Sequence, residues 1–463
     1  MKYRLESDSV GEKQVPFDAY YGVQTLRAYE NFRITGYSLP EELIVALAEI
    51  KKACAITNVK AGELDKTIAD AIIAACDDII RGKFHDQFIL DPIQGGAGTS
   101  SNMNANEVIA NIGLEKLGKE KGDYRFCHPN DHVNMAQSTN DVYPTSLKIA
   151  IYRRGLVLAA KLDELDKALS DKAEEFKDVL KLGRTQLEDA VPITLGQEFK
   201  AHASAVKRFK RILLKSLEEM QTVNMAATAI GTGINASEYF YHHVVEDLSE
   251  VTGIQMYQAD DMVDGTQNID AFSVVSGALK TGAIALSKMA NDIRLLNSGP
   301  KSGIGEITIP AKQNGSSIMP GKINPVIPEV LNQACFAVIG NDMTVTMACE
   351  GGQMELNAFE PVAFYRIYES MVMLTNAIDT FIENCVVGIV ANVDKCMSNL
   401  MNSTGLVTAL APYIGYKKSA DIAKKFLKDG TPIIDGAKEA GLTDEQLKEI
   451  LDPEKLARQF EKK

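Results

Sequence analysis

Where proline is missing constrains this chain more than any residue that is present. None falls between Pro144 and Pro192, and none between Pro192 and Pro300, whereas five crowd into Pro300–Pro328. Proline lacks the amide N–H and its ring clashes with the preceding turn, so it breaks helix interiors. The two empty intervals are where long helices can run. The first carries Leu158, Leu162, Leu165 and Leu169 at 4, 3, 4 spacing, then Ala173, Phe176 and Leu180. That predicts one apolar stripe on a helix of roughly 35 residues, from about Leu147 to Leu180 and about 50 Å long. The second repeats the pattern through Phe199, Val206, Phe209, Leu213, Leu217 and Met220. Further helices are predicted over Ala271–Leu296 and from Glu329 onward. Globular helices average far fewer residues, so a set of very long ones predicts an elongated, all-α bundle.

The flanks differ from this centre. Residues 1–140 mix shorter helices with Gly-rich loops ("QGGAGTSSN") and read as an N-terminal domain. Residues 141–392 form the central long-helix domain. Residues 393–463, broken by Pro412, Gly430 and Pro432, read as a small C-terminal helical domain. The 463-residue length suits about three such domains.

Charge and cysteine usage narrow the partners. Forty-nine Lys and Arg against 62 Asp and Glu leave a net charge of −13, and the basic residues form no stripe. This argues against nucleic acid and against an anionic membrane surface. The opening "MKYRLESDSVGEK" has no apolar leader pattern, and no apolar run is long enough to span a bilayer. Seven scattered cysteines, with no CxxC pair, read as small buried hydrophobes in a reducing cytoplasm.

Four segments share an unusual composition of small hydroxyl and amide residues: "GGAGTSSN" (95–102), "QSTND" (137–141), "GRTQLEDA" (183–190) and "GSSIMPGKIN" (315–324). Each alone has a plain reading. Ser, Thr and Asn are favoured N-caps, so Ser138, Thr139 and Asn140 read first as caps of the long helix that follows. "GGAGTS" lacks the lysine of a phosphate-binding GxxxxGK[ST] loop, which argues against a nucleotide. The six histidines read as dispersed, and no metal-ligand cluster is expected. Together the four segments say more. They offer many neutral hydrogen-bond donors, with Lys322 and Arg184 as the only cations, a composition suited to cradling a small dicarboxylate.

At this point the chain resembles the fumarate lyase (aspartase/fumarase) superfamily. Its signature G-S-x-x-M-x-x-K-x-N is met by Gly315, Ser316, Met319, Lys322 and Asn324, and the other three segments fall at its other recurrent blocks. The likeness runs from "DAYYGVQTLRAYENF" to the tail. It implies an all-α, three-domain fold whose central long-helix bundle assembles as a homotetramer. "QSTND", "INPVIPEV" and Gln186, where fumarases place histidine, are similar to aspartases. The implied activity is reversible deamination of L-aspartate to fumarate and ammonia. Fumarate hydration, or the reaction of another lyase of the superfamily, is the alternative.

The resemblance also implies site roles. Ser316 would be the general base, acting as an alkoxide. Thr99, Ser138, Thr139 and Ser317 would bind the β-carboxylate as it accepts charge in an aci-carboxylate intermediate. Lys322 and Asn324 would hold the α-carboxylate, and Asn140, Thr185 and Gln186 the amino group. No organic cofactor and no metal are expected. The partners would be the small-molecule substrate and further copies of the chain, with neither nucleic acid nor membrane. Because Asn140 precedes the long helix and Thr185 follows it, each active site is expected to be shared between subunits.

Overall fold

The structure, a computed structural model, describes residues 2–458. It divides into two compact units. Unit 1 comprises the residues up to Ala159, Arg211–Ala283 and Phe336–Leu374; unit 2 comprises Ala160–Lys210, Ile284–Cys335 and the residues from Thr375 onward. Five long helices are continuous from one unit into the other: α5 (Thr139–Glu175), α6 (Leu195–Leu217), α9 (Asp270–Leu296), α10 (Val326–Glu350) and α11 (Glu360–Asn384). The fold is all-α, as the proline-free intervals predict.

Unit 1 begins with an antiparallel hairpin, β1 (Tyr3–Asp8) and β2 (Gly11–Pro16), followed by α1 (Val23–Asn31), α2 (Glu41–Lys60), α3 (Lys66–Ile80) and α4 (Thr99–Lys116). Helix α1 starts at Gly22, which has no side chain to cap it. Glu107 of α4 does that work from outside. Its buried carboxylate accepts the N–H groups of Gly22, Gln24 and Thr25 at 2.8, 2.9 and 3.1 Å, satisfying donors that the first turn leaves open. Burial pushes the Glu107 pKa up to about 7. The unit is completed by β5 (Thr222–Val223), α7 (Glu238–Thr252), β6 (Tyr257–Gln258) and the single turn α8 (Asp264–Gln267).

Helix α5 carries the predicted stripe. Leu158, Leu162, Leu165 and Leu169 are fully buried, each contributing up to about 1.5–3 kcal/mol by area. Its limits differ from expectation. The helix starts at Thr139, ahead of Pro144, and ends at Glu175, so Leu180 opens a strand. Pro144 is tolerated because the carbonyl it cannot serve, that of Asn140, accepts the Asn224 side-chain amide at 2.9 Å.

In unit 2, β3 (Leu180–Thr185) pairs antiparallel with β4 (Glu188–Thr194). The stripe of α6 begins there with Phe199 and Val206, both buried. Strand β7 (Ile307–Thr308) pairs with β8 (Val390–Ala391), followed by α12 (Val393–Met401). The tail forms α13 (Ala411–Ile414), α14 (Tyr416–Asp429), α15 (Ile433–Glu439), α16 (Asp444–Ile450) and α17 (Pro453–Ala457). These pieces share a small core of Leu410, Ile422, Ile433, Ala437 and Leu447. Among the described residues no cysteines are paired and no helix is long and apolar enough to cross a membrane.

Candidate active site

The ten residues expected to handle substrate fall into two groups, one in each unit. Unit 1 holds Thr99, Ser138, Thr139 and Asn140; unit 2 holds Thr185, Gln186, Ser316, Ser317, Lys322 and Asn324.

In unit 1 the starts of α4 and α5 are locked together. Gly96, Ala97 and Gly98 all adopt positive φ before α4 opens with the exposed Thr99. Only glycine fits at position 98, since a Cβ there would lie 2.2 Å from the ring of Tyr143 on α5. One turn into α4, Asn102 donates to Thr139 Oγ1 at 3.1 Å and to Asn134 Oδ1 at 3.2 Å. Two helix N-termini with hydroxyls in their first turns favour a bound carboxylate. The plain capping reading is also visible here. Ser138 Oγ accepts the Asn140 N–H at 3.2 Å, and Asp141 Oδ1 accepts the Ser138 N–H at 3.0 Å, a reciprocal cap of the capping-box kind.

Behind this segment lies a residue that sequence reasoning missed. Lys51, fully buried on α2, donates to Asn134 Oδ1 and Gln137 Oε1, both at 2.8 Å. Asn134 donates in turn to the Gln137 carbonyl at 3.1 Å. Asp141 Oδ2 takes the Thr228 N–H at 2.9 Å. Burial lowers the Lys51 pKa to about 8 and raises that of Asp141 to about 7, despite the N–H groups of Ser138 and Thr228 on its carboxylate. The only signal available was the final acid of "QSTND", three residues after a cap; nothing in "EIKKACA" marks Lys51. Asn140 donates its side-chain N–H to Ala229 O at 2.7 Å, which leaves its Oδ1 to accept from an amine.

In unit 2, Thr185 ends β3, and Gln186 and Leu187 form the two-residue tip of the hairpin. Arg184 is not a spare cation. Its guanidinium makes a fork with Glu306 at 3.1 and 2.9 Å, which leaves Lys322 as the exposed positive charge of these segments. The 315–324 turn closes on itself. Gly315 N–H donates to Lys322 O at 3.0 Å, and Asn324 Nδ2 donates to Gly315 O at 2.5 Å. A Cβ at Gly315 would lie 2.2 Å from Lys322 O, so the closure requires glycine. Ser316 Oγ sits over this turn and accepts the N–H groups of Ile318 and Met319 at 3.2 and 3.0 Å. Lys322 and Asn324 line a cavity of about 850 Å³ together with Arg294, Asn297 and Thr308, within the size range of small-ligand sites.

The histidines need one correction. His128 and His132 do have HxxxH spacing. In the structure each Nδ1 accepts backbone N–H groups, His132 from His128 and His128 from Asn130 and Asp131. They cap a short helical turn. Among the described residues no group of three or more His, Cys, Asp or Glu side chains is placed to hold a metal ion.

Comparison with known proteins settles the family. Residues 11–340 match the family described as Lyase, and residues 406–458 that described as Fumarase C C-terminus. The aspartate ammonia-lyase of Helicobacter pylori (strain ATCC 700392 / 26695) is 52% identical over 456 residues, 98% of this chain and 97% of that one. The chain belongs to the aspartase/fumarase superfamily. Two solved lyase structures agree with the fold described above. A fumarate lyase:delta crystallin from Brucella melitensis, determined bound to cobalt, has a TM-score of 0.96 at 50% identity, covering 98% of this chain and all of that one. A recombinant class II fumarase from Schistosoma mansoni has a TM-score of 0.95 at 33% identity, covering 99% and 100%. Within the superfamily, relatives at this identity over nearly the full length place the chain with the aspartases.

Proposed function

We propose that this lyase cleaves the carbon–nitrogen bond of L-aspartate, giving fumarate and ammonia reversibly, with Ser316 as the base. The observation that carries the serine assignment is the setting of Ser316 Oγ. Two backbone N–H groups point at it from a glycine-closed turn, and these donors would stabilise the oxygen as an alkoxide. The proton removed is the one beside the β-carboxylate. It becomes acidic as that carboxylate accepts charge, so the chief task is stabilising the developing aci-carboxylate. Thr99, Ser138 and Thr139, at the two joined helix starts, and Ser317 are the donors for it. Lys322 and Asn324 would take the α-carboxylate; Asn140 Oδ1, Thr185 and Gln186 the amino group. The turn would close over substrate and exclude water.

The two groups are proposed to meet across chains of a homotetramer. Asn140 stands in the first turn of the 37-residue α5 and Thr185 beyond its last, and such a helix rises about 55 Å. Helix α10 supports self-association. Phe336, Met343 and Met347 recur at spacings of 7 and 4 with 60%, 65% and 59% of their surface exposed, a pattern that seats a second helix.

The test is to follow fumarate formation from L-aspartate and, separately, from L-malate. Aspartate should be consumed and malate barely so. Malate as the better substrate would favour the hydratase reading, which the likeness to a class II fumarase keeps in view. Within unit 2, Thr185 and Ser316 of one site are proposed to come from different chains as well, so two inactive variants, Ser316→Ala and Thr185→Ala, are refolded together. Mixed tetramers should regain part of the activity, whereas a fully active monomer would rule out sharing.

A further inference from the structure

Unit 2 buries an ion cluster that the reaction scheme leaves unused. Glu306 is fully buried, and its carboxylate accepts from the Arg184 guanidinium, from Lys181 Nζ at 2.9 Å and from Asn399 Nδ2 at 2.9 Å. Lys181 is itself 1% exposed and also pairs with Glu198 Oε1 at 2.6 Å. Two cations thus face two anions. His202, Lys288 and Asp292 line the adjacent cavity of about 230 Å³. A buried ion cluster of this kind is weak evidence for stability, because desolvation offsets most of the attraction. Its presence calls for another reason.

The reason lies one residue further along the chain. Arg184 directly precedes Thr185, and the tip residues Gln186 and Leu187 sit at φ of +56° and +66°. Neither is glycine or asparagine, so both carry the steric cost of left-handed backbone. An exposed turn of this kind relaxes unless its base is held. Glu306 is well fixed for holding it. Its N–H donates to Leu296 O and its carbonyl accepts the Asn392 N–H, both at 2.9 Å. It also leads straight into β7 and the segment that carries Ser316.

We propose that the Lys181–Arg184–Glu306–Glu198 cluster is a positioning device that clamps the strained Thr185–Gln186 turn in the conformation that meets the amino group. Its effect on catalysis rests on the reading above that Thr185 and Gln186 touch substrate. Glu306 and Arg184 act through the turn and do not themselves meet the reacting atoms. The clamp uses charge as well as shape, because a guanidinium fork needs both carboxylate oxygens.

The experiment uses the full-length enzyme and two variants. Glu306→Gln keeps the shape but removes the charge; Arg184→Lys keeps the charge but removes the fork, and serves if the first variant fails to fold. Amide hydrogen exchange is measured by mass spectrometry over residues 180–190, alongside kcat and KM for L-aspartate. Exchange at the turn should quicken about tenfold, and KM should rise about tenfold with kcat nearly unchanged, the pattern of a lost uniform binding contact. Unchanged exchange and KM in the folded variants, even with a lower melting temperature, would overturn the clamp. Faster exchange with an unchanged KM would uphold the clamp and instead remove Thr185 and Gln186 from the substrate site.

Discussion

Two segments of the proposed site, 138–140 and 315–324, are held by different means. Ser138, Thr139 and Asn140 rest on side chains brought from distant parts of unit 1: Lys51 from α2, Asn102 from α4 and Asn224 from the segment after α6. Several of these partners are wholly buried, and Lys51 is a buried cation held by two amide oxygens. The 315–324 turn of unit 2 is held by bonds among its own residues, and Ser317 and Lys322 on it are exposed. A group braced by long-range buried contacts is preformed, whereas one held by local surface contacts opens at little cost. On the proposed chemistry this division makes sense. Most of the proposed β-carboxylate donors would sit in a fixed cradle, and the proposed base, with Ser317, would arrive on the segment that opens more easily.

The contrast is broken most directly by substitutions that separate activity from stability. Ser316→Ala should reduce turnover about 10⁴-fold, the upper end for loss of a general base. The melting temperature should stay near that of the parent, since the residue lies in a surface turn. Near-normal turnover would mean that serine is not the base. Ser317→Ala should cost less, about 10²–10³-fold, as for one donor to a developing oxyanion. Lys51→Met tests the other side. It leaves Asn134 and Gln137 without their shared donor and should destabilise the fold by about 3 kcal/mol, read as a lower urea midpoint. If its midpoint matched that of Ser316→Ala, the two regions would not differ as described.

A smaller effect is carried by pH. Burial holds the Asp141 pKa at about 7, against 3.8 for the free side chain. Between those values the folded chain keeps a proton that the unfolded chain releases. Asp141's contribution is therefore complete below pH 3.8 and is lost as pH rises through 7, with a slope of at most about 1.4 kcal/mol per unit. Urea unfolding of an Asp141→Asn variant at several pH values should show that slope removed, whereas Ser316→Ala should retain it. Equal slopes in all three proteins would mean that Asp141 ionises normally in the fold.

What the sequence by itself determined is whatever rests on period and local chemistry. The spacing of Leu158, Leu162, Leu165 and Leu169 specified a buried helical face because side chains three and four apart share one side of a helix. The glycine–serine turn was legible because Gly315 and Asn324 make its closing bonds within ten residues. The expected start of α5, about Leu147, falls late for the same local reason: the helix runs on through Pro144 because the carbonyl that proline leaves open is satisfied by Asn224, 84 residues away. Only the tertiary structure decided that Lys51 braces "QSTN", that Glu107 caps α1 and that Arg184 belongs to Glu306. In each case a buried charge or open donor is satisfied by a residue far off in the chain. Burial makes such pairing obligatory, but no spacing along a single element records which partner supplies it.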